Sequence, residues 1–232
     1  MHVMPPLFIP GAYGEAAAYI GPDLIEAQRT ANQEIRERVQ AVFRSICGAD
    51  AIWQEAEGER GDLLAEAAHT TDLVLASRAK AGATDAPDVL DQLVTAAGVP
   101  VLALPPEVSG DFGQTVLVGW NGSREAARAA HDALPFLHKA KRVILCAVGE
   151  EAAKSLGAAD AMLQRHGLAV HSQQVAEPDG DAGEILLAQA GAQSADLLVM
   201  GAYGHARLRE LVFGGATRHV LREATLPVLF GS

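Results

Sequence analysis

The stretch that decides the fold stands near the end of the chain. It reads Ala195-Asp-Leu-Leu-Val-Met-Gly-Ala-Tyr-Gly204, then a helical stretch, then Thr225-Leu-Pro-Val-Leu-Phe230. A continuous apolar run, rather than an alternating one, marks a strand covered on both faces. The same order of elements stands earlier in the chain. Thr71-Asp-Leu-Val-Leu-Ala-Ser77 leads through a helical stretch to Gly98-Val-Pro-Val-Leu-Ala-Leu104. In both places a proline holds the second position of the last strand. Upstream, Gly183-Glu-Ile-Leu-Leu-Ala-Gln189 matches Gly61-Asp-Leu-Leu-Ala-Glu66, and each opens an amphipathic helix. The match runs in order over about fifty residues of each half, which makes the chain an internal repeat.

Pro105-Pro106-Glu107-Val-Ser-Gly-Asp-Phe-Gly113 lies between the copies and has the composition of an exposed connection. The expected organisation is a first copy over residues 1–106, a linker over 107–113 and a complete second copy over 114–232. The second copy reads cleanly. Gln114–Gly119 is a short apolar strand, Asn121-Gly122-Ser123 a turn, and Ser123 an N-cap with Glu125 behind it. A helix runs from Ser123 to Lys139, with a kink or break expected at Pro135. Arg142–Val148 is a second strand, Glu150–His166 a helix closed by Gly167, and Leu168–Val175 a polar strand suited to an edge. A helix over Asp181–Gln193 and strands over Asp196–Met200 and Leu226–Phe230 complete it. Alternating strands and helices with apolar strands imply α/β architecture: a parallel, doubly wound sheet in each of two tandem copies. Ligands of such sheets bind beyond the carboxyl ends of the strands, so the loops after Val118, Val148 and Met200 are the candidates.

The first copy is shorter of elements. His2-Val-Met-Pro5 aligns with the end of the second strand, near Cys146-Ala-Val148, and nothing corresponds to Thr115–Lys139. This copy is therefore read as incomplete, lacking its first strand and helix, with either a start upstream or an abnormal sheet. The segment from Pro10 to Pro22 reads as a loop whose Tyr13, Tyr19 and Ile20 could cover a partner surface, and a helix follows from Asp23 to about Cys47.

The 232 residues carry 18 Lys and Arg against 29 Asp and Glu, a net charge of −11. That excludes a general nucleic-acid binder and electrostatic docking on an anionic membrane. The 49% hydrophobic content suits a globular protein, and no apolar run reaches the length of a membrane span. Cys47 and Cys146 are too few for a disulfide framework or a four-thiolate zinc site, and both read as buried free thiols in a reducing cytoplasm. His131, His138, His205 and His219 make no paired ligand spacing on one helix face, and no nucleophile or Walker motif is present.

After Met200, Gly201-Ala-Tyr-Gly204 is followed nine residues later by Gly214-Gly215-Ala216-Thr217. Glycines at a strand end let backbone N–H groups approach an anion, and the helix opening after Gly215 would add its own N-terminal donors. Spacing alone leaves open whether these glycines serve only turns. Arg207, Arg209 and Glu210 between them read as salt-linked surface or as a phosphate-facing arginine.

These residues carry a resemblance. Gly-x2-Gly-x9-Gly at Gly201, Gly204 and Gly214, the stretch Asp196–Gly204, the closing Leu-Pro-Val-Leu and the opening Val116-Leu-Val-Gly-Trp-Asn-Gly-Ser123 resemble the universal stress protein family. The likeness covers the second copy throughout and the first more weakly. The resemblance implies a Rossmann-like sheet of strand order 3-2-1-4-5 per copy, in a cytoplasmic stress-response protein. In nucleotide-binding members ATP, with Mg possible beside it, lies across the ends of strands 1, 2 and 4. Carried over, Gly119, Asn121 and Val148 would approach the base and ribose. Met200, Gly201, Gly204 and His205 would line ribose and phosphates, and Gly214, Gly215, Ala216 and Thr217 would cap the outer phosphates.

Two departures stand out. Asn121 replaces the family's Asp, and Gly215 stands where Ser or Thr is expected, with Thr217 the nearest remaining hydroxyl. The first copy has lost the glycine loop. Asp85 and Asp88 would repel phosphate, and Arg78 and Lys80 read as solvated cations, so this copy is expected to bind no nucleotide. The expected function is adenine-nucleotide sensing through the second copy, without fast turnover. The other readings are an interaction module built as a pseudo-dimer, and a slow ATP hydrolase. Family dimers pair their last strands, so Val99–Leu104 and Leu226–Phe230 could pair within this chain or the chain could form a homodimer.

Overall fold

The structure is a computed structural model that describes residues 1–4, 22–78, 89–108, 110–176, 181–202 and 215–231. The first-copy elements are β1 (His2–Met4), α1 (Pro22–Ile46), β2 (Glu55–Glu57), α2 (Arg60–Ala68), β3 (Val74–Ser77), α3 (Val89–Ala96) and β4 (Val101–Leu104). The second copy supplies β5 (Thr115–Trp120), α4 (Arg124–Asp132), α5 (Leu134–Leu137), β6 (Arg142–Val148), α6 (Glu150–Ala153), α7 (Leu156–Arg165), β7 (Val170–Val175), α8 (Ala182–Ala192), β8 (Leu197–Gly201), α9 (Gly215–Glu223) and β9 (Val228–Gly231).

Seven strands form one sheet in the order β3-β4-β9-β8-β5-β6-β7, and β1 pairs with β2 in a separate two-stranded sheet. From β9 to β7 every pairing is parallel, so the second copy has the doubly wound order 3-2-1-4-5. The apolar strands β5, β6 and β8 lie in the middle. Polar β7 takes the edge, where His171 and Gln174 meet solvent. Leu117, Val118, Ile144, Leu145, Leu197 and Leu198 are buried, as continuous apolar runs require.

The chain divides into two compact units, Met1–Glu66 and Ala67–Ser232. The boundary falls after Glu66, well before the connection at 107–113. Strands β3 and β4 belong to the second unit because β4 pairs antiparallel with β9, Val101 opposite Phe230, Leu102 opposite Leu229 and Ala103 opposite Val228. Both β4 and β9 are apolar and would be costly as open edges. Their union ties the last strands of the two copies together within one chain.

In the first unit, Arg36 grips Glu55 with both arms of its guanidinium, Nε to Oε1 at 2.8 Å and Nη2 to Oε2 at 2.6 Å. The Trp53 indole donates to the same carboxylate at 2.5 Å and stacks on His2 at 5.6 Å between ring centres. β1 pairs parallel with β2, His2 opposite Glu55 and Met4 opposite Glu57. Residues 5–21, including Tyr13, Tyr19 and Ile20, lie outside the described residues, as do Lys80, Asp85 and Asp88.

The register neighbours at the ends of the last two strands differ between the two halves of the chain. Gly201 and Gly231 are neighbours in register on β8 and β9. A Cβ on Gly201 would lie 2.5 Å from the Ala126 nitrogen, and one on Gly231 2.5 Å from the Ala129 nitrogen. The two glycines thus form a bare floor on which the α4 backbone rests. The corresponding register neighbours in the first copy are Ser77 and Leu104. A helix packed as closely as α4 would collide with both side chains.

Four sequence expectations are modified. The long helix after Ser123 ends at Ala133, and Pro135 sits in the first turn of α5, where its missing N–H costs nothing. The helix over 150–166 is split into α6 and α7 around Lys154 and Ser155. Cys47 is exposed rather than buried, because it lies just beyond the last turn of α1, whereas Cys146 is buried in β6. Arg78 is not a solvated cation. Its guanidinium donates to the carbonyls of Leu221, at 3.3 Å, and of Ala224, closing the negative end of α9. Burial pushes its pKa down, against the pull of Glu223.

Candidate functional site

Strand order places β6, β5 and β8 side by side with their carboxyl ends at one edge of the sheet. From β5 the chain winds outward to β6 and β7, then returns to β8 on the other side. The switch point therefore lies between β5 and β8, where the carboxyl-edge crevice of an open α/β sheet forms. Trp120 and Val148 end the strands on one side of it, and Gly201 ends β8 on the other.

The turn after β5 is shaped by short-range bonds. The Asn121 Oδ1 accepts the Ser123 N–H at 3.1 Å, and the Ser123 hydroxyl accepts the Ala126 N–H at 3.1 Å as the N-cap of α4. Gly122 takes φ +76°, and a Cβ there would stand 2.8 Å from the Ser155 Oγ. That hydroxyl accepts the Trp120 indole N–H at 2.9 Å, so the break between α6 and α7 braces the turn. Asn121 is exposed, and with its oxygen engaged its amide N–H2 remains to meet a ligand. An aspartate would offer only acceptors.

The other sequence candidates fall into groups. Val148 is half-buried at the end of β6, and Gly149 follows with φ +83°. Gly119 is buried within β5, and a Cβ there would touch the Leu186 side chain at 3.0 Å, so it serves helix packing. Met200 is only 5% exposed, which leaves its backbone as the part near the edge. Gly201 is the close-approach point of α4. Gly215 is exposed and Ala216 half-buried in the first turn of α9, whereas Thr217 is 3% exposed, so its hydroxyl does not face open solvent. Gly204, His205, Gly214, Arg207, Arg209 and Glu210 lie outside the described residues.

Charge at this edge is organised by helix starts. Burial alone would raise the Glu125 carboxyl in the first turn of α4, but the Arg124 guanidinium, its own backbone N–H and the Ser123 hydroxyl hold its pKa below the ordinary value. Asp181 caps α8, with Oδ1 accepting the Gly183 N–H at 2.9 Å.

Two features were not read from the sequence. The Asp196 carboxylate accepts three successive backbone N–H groups, from Gly113 at 3.0 Å, Gln114 at 3.0 Å and Thr115 at 2.9 Å, which pins the start of β5 beside β8. The repeated Asp-Leu pair before the strand was the available signal. His131 and His166, far apart in sequence, meet at helix ends with ring centres 5.7 Å apart.

The strand order defines a doubly wound α/β protein with its switch point between β5 and β8. The model of the universal stress protein family matches residues 113–230, just over half of the chain, and the chain belongs to that family. It is 37% identical over 79 residues to universal stress protein Slr1230 of Synechocystis sp., a match covering 34% of this chain and 26% of that protein. The chain thus aligns with about a quarter of that relative's length. A universal stress protein from Archaeoglobus fulgidus DSM 4304 has a TM-score of 0.72 at 18% identity, covering 100% of this chain and 86% of that one. The protein PA1789 from Pseudomonas aeruginosa PAO1 has a TM-score of 0.56 at 14% identity, covering 99% and 91%. At such identities the likeness to the solved structures is one of fold. No helix among the described residues is long and apolar enough to cross a membrane.

Proposed function

We propose that the chain is a stress-response regulator that senses an adenine nucleotide at the second copy's carboxyl edge. The observation that supports this most is the convergence of the β5, β6 and β8 ends with the N-terminus of α9 at one switch point. Exposed Asn121 and the rim at Val148 would take the base and ribose. The backbone of Gly201 and the first turn of α9, joined by Gly204, His205 and Gly214 on sequence grounds, would take the phosphates. Magnesium enters this reading only as the ion that ATP carries with it. Among the described residues no group of three or more His, Cys, Asp and Glu could hold a metal.

Binding would shift a conformational population that a partner reads. The reading is tested by nucleotide released on denaturing the purified protein, and by thermal shift with millimolar adenosine, AMP and ATP. Gly204→Asp and Gly214→Asp should abolish both signals. Absence of any signal with the unmodified chain would sink the reading.

The antiparallel β4–β9 union favours a second reading, an interaction module built as a pseudo-dimer within one chain. A partner retained equally by the two glycine variants would support it.

A further inference from the structure

The first unit carries a cleft that the nucleotide reading does not use. Its volume is about 420 Å³, and it is lined by Met4, Arg29, Asn32, Gln33, Arg36 and Glu57. All six belong to the unit Met1–Glu66. Arg29, Asn32, Gln33 and Arg36 stand at i, i+3, i+4 and i+7, so one face of α1 forms one wall. Met4 and Glu57, the last residues of the parallel strands β1 and β2, form the other. The Gly58 N–H donates to the Met4 carbonyl at 3.1 Å and ties those two ends together. The cleft thus lies at the carboxyl end of a parallel strand pair, where open α/β sheets take ligands. Its charges divide into an engaged pair and an open one. Glu55 takes the Nε and Nη2 groups of Arg36, and Nη1 stays outside that fork with its two N–H donors. Arg29 meets Glu26 at 3.9 Å with both side chains largely exposed, a contact worth little. Glu57 is exposed, and among the described residues its carboxylate joins no ion pair.

We propose that this cleft binds a small zwitterion of the amino-acid class, its carboxylate held by Arg29 and the Nη1 edge of Arg36 and its ammonium by Glu57. With Arg36 balanced by Glu55, one cation and one carboxylate remain to meet a ligand. A ligand with one charge of each sign matches them, whereas a second negative charge would meet Glu57 and a second positive charge Arg29. Arg36 is already fixed by Glu55, so it loses little freedom on gripping a carboxylate. Half-buried Asn32 adds an amide donor and acceptor on the same wall, and Met4 adds an apolar, adaptable surface for the ligand's side chain. The inference is independent of the nucleotide reading.

Thermal shift of the full chain with the free amino acids, each at about 10 mM, identifies the best ligand. Calorimetric titration then compares that amino acid with its N-acetyl form, which lacks the ammonium, and its amide, which lacks the carboxylate. Each blocked form should bind at least about tenfold more weakly, because a hydrogen bond to a charged group carries about one to two decades of affinity. Arg29→Gln should weaken the free amino acid about tenfold with no further loss for the amide. Glu57→Gln should do the same with no further loss for the N-acetyl form. Both positions are exposed, so the denaturant unfolding of the two variants should match the parent, and lost binding is then not lost fold. No shift with any amino acid overturns the proposal. So does a ligand whose blocked forms bind as tightly, or whose affinity survives both substitutions. Gly204→Asp and Gly214→Asp should leave amino-acid binding intact, so this proposal and the nucleotide reading fail separately.

Discussion

Replacing Gly201 with alanine tests the central packing claim, that the α4 backbone rests on a glycine floor. The new carbon would stand 2.5 Å from the Ala126 nitrogen and 2.6 Å from the Glu125 carbonyl carbon. Carbon contacts settle at about 3.5–4.0 Å, so the helix or the strand must yield by about 1 Å. Neither is free to do so. β8 is held in register between β5 and β9, and α4 meets the same close approach one strand away at Gly231. Overfilling a packed core costs about 1–3 kcal/mol, and the stiffer unfolded chain returns about 0.4–1 kcal/mol. A net loss of about 1.3 kcal/mol follows, equivalent to roughly 3–5 °C in Tm for a unit of this size. Thermal unfolding followed by Trp120 fluorescence in a Trp53→Phe background isolates the second unit, since Trp53 lies in the first. Gly191→Ala is the matched control. Nothing stands within 4 Å of a Cβ there, and α8 should gain a few tenths of a kcal/mol to about 1 kcal/mol. A Gly201→Ala protein as stable as the parent, beside a stabilised Gly191→Ala, would refute the glycine floor.

Asp196→Asn leaves one oxygen for three backbone N–H groups and turns an amide donor toward them; a loss of about 2 kcal/mol is expected in denaturant unfolding. Thiol titration of the native chain at pH 8 should show one fast group, exposed Cys47, and one that reacts only on unfolding. Burial pushes the Cys146 thiol up, partly offset by its contact with Gln173, and also shields it. The Glu125 carboxyl has a folded pKa below the ordinary 4.5, so its stabilising contribution is complete above that pH and fades as pH falls through the folded value. Glu125→Gln should therefore lower stability at pH 6, and the difference from the parent should shrink as pH falls through the folded value.

The second copy was legible almost element by element. Its strands are unbroken apolar runs such as Val116–Val118 and Leu197–Val199, and its helix ends carry Ser123, Asp181 and Gly167, signals that act locally. The sequence marked Gly201 as special but assigned it to a ligand. The structure adds the backbone of α4, which no spacing can reveal. Arg78 was misread for the same reason, since its acceptors at Leu221 and Ala224 lie more than a hundred residues away in sequence. Cys47 is exposed because it lies just beyond the last turn of α1, and the apolar neighbourhood in sequence pointed the other way.

The sequence by itself determined the alternating α/β pattern of residues 114–232 and the family resemblance, which in turn implied the strand order 3-2-1-4-5. Each rests on periodicity or on residues close together in the chain. Only the tertiary structure decided that β4 joins β9 inside one chain, that the compact units divide after Glu66, and that Asp181 faces the start of α9. Those facts depend on which distant backbones come together, and burial and strand pairing, rather than local propensity, select them.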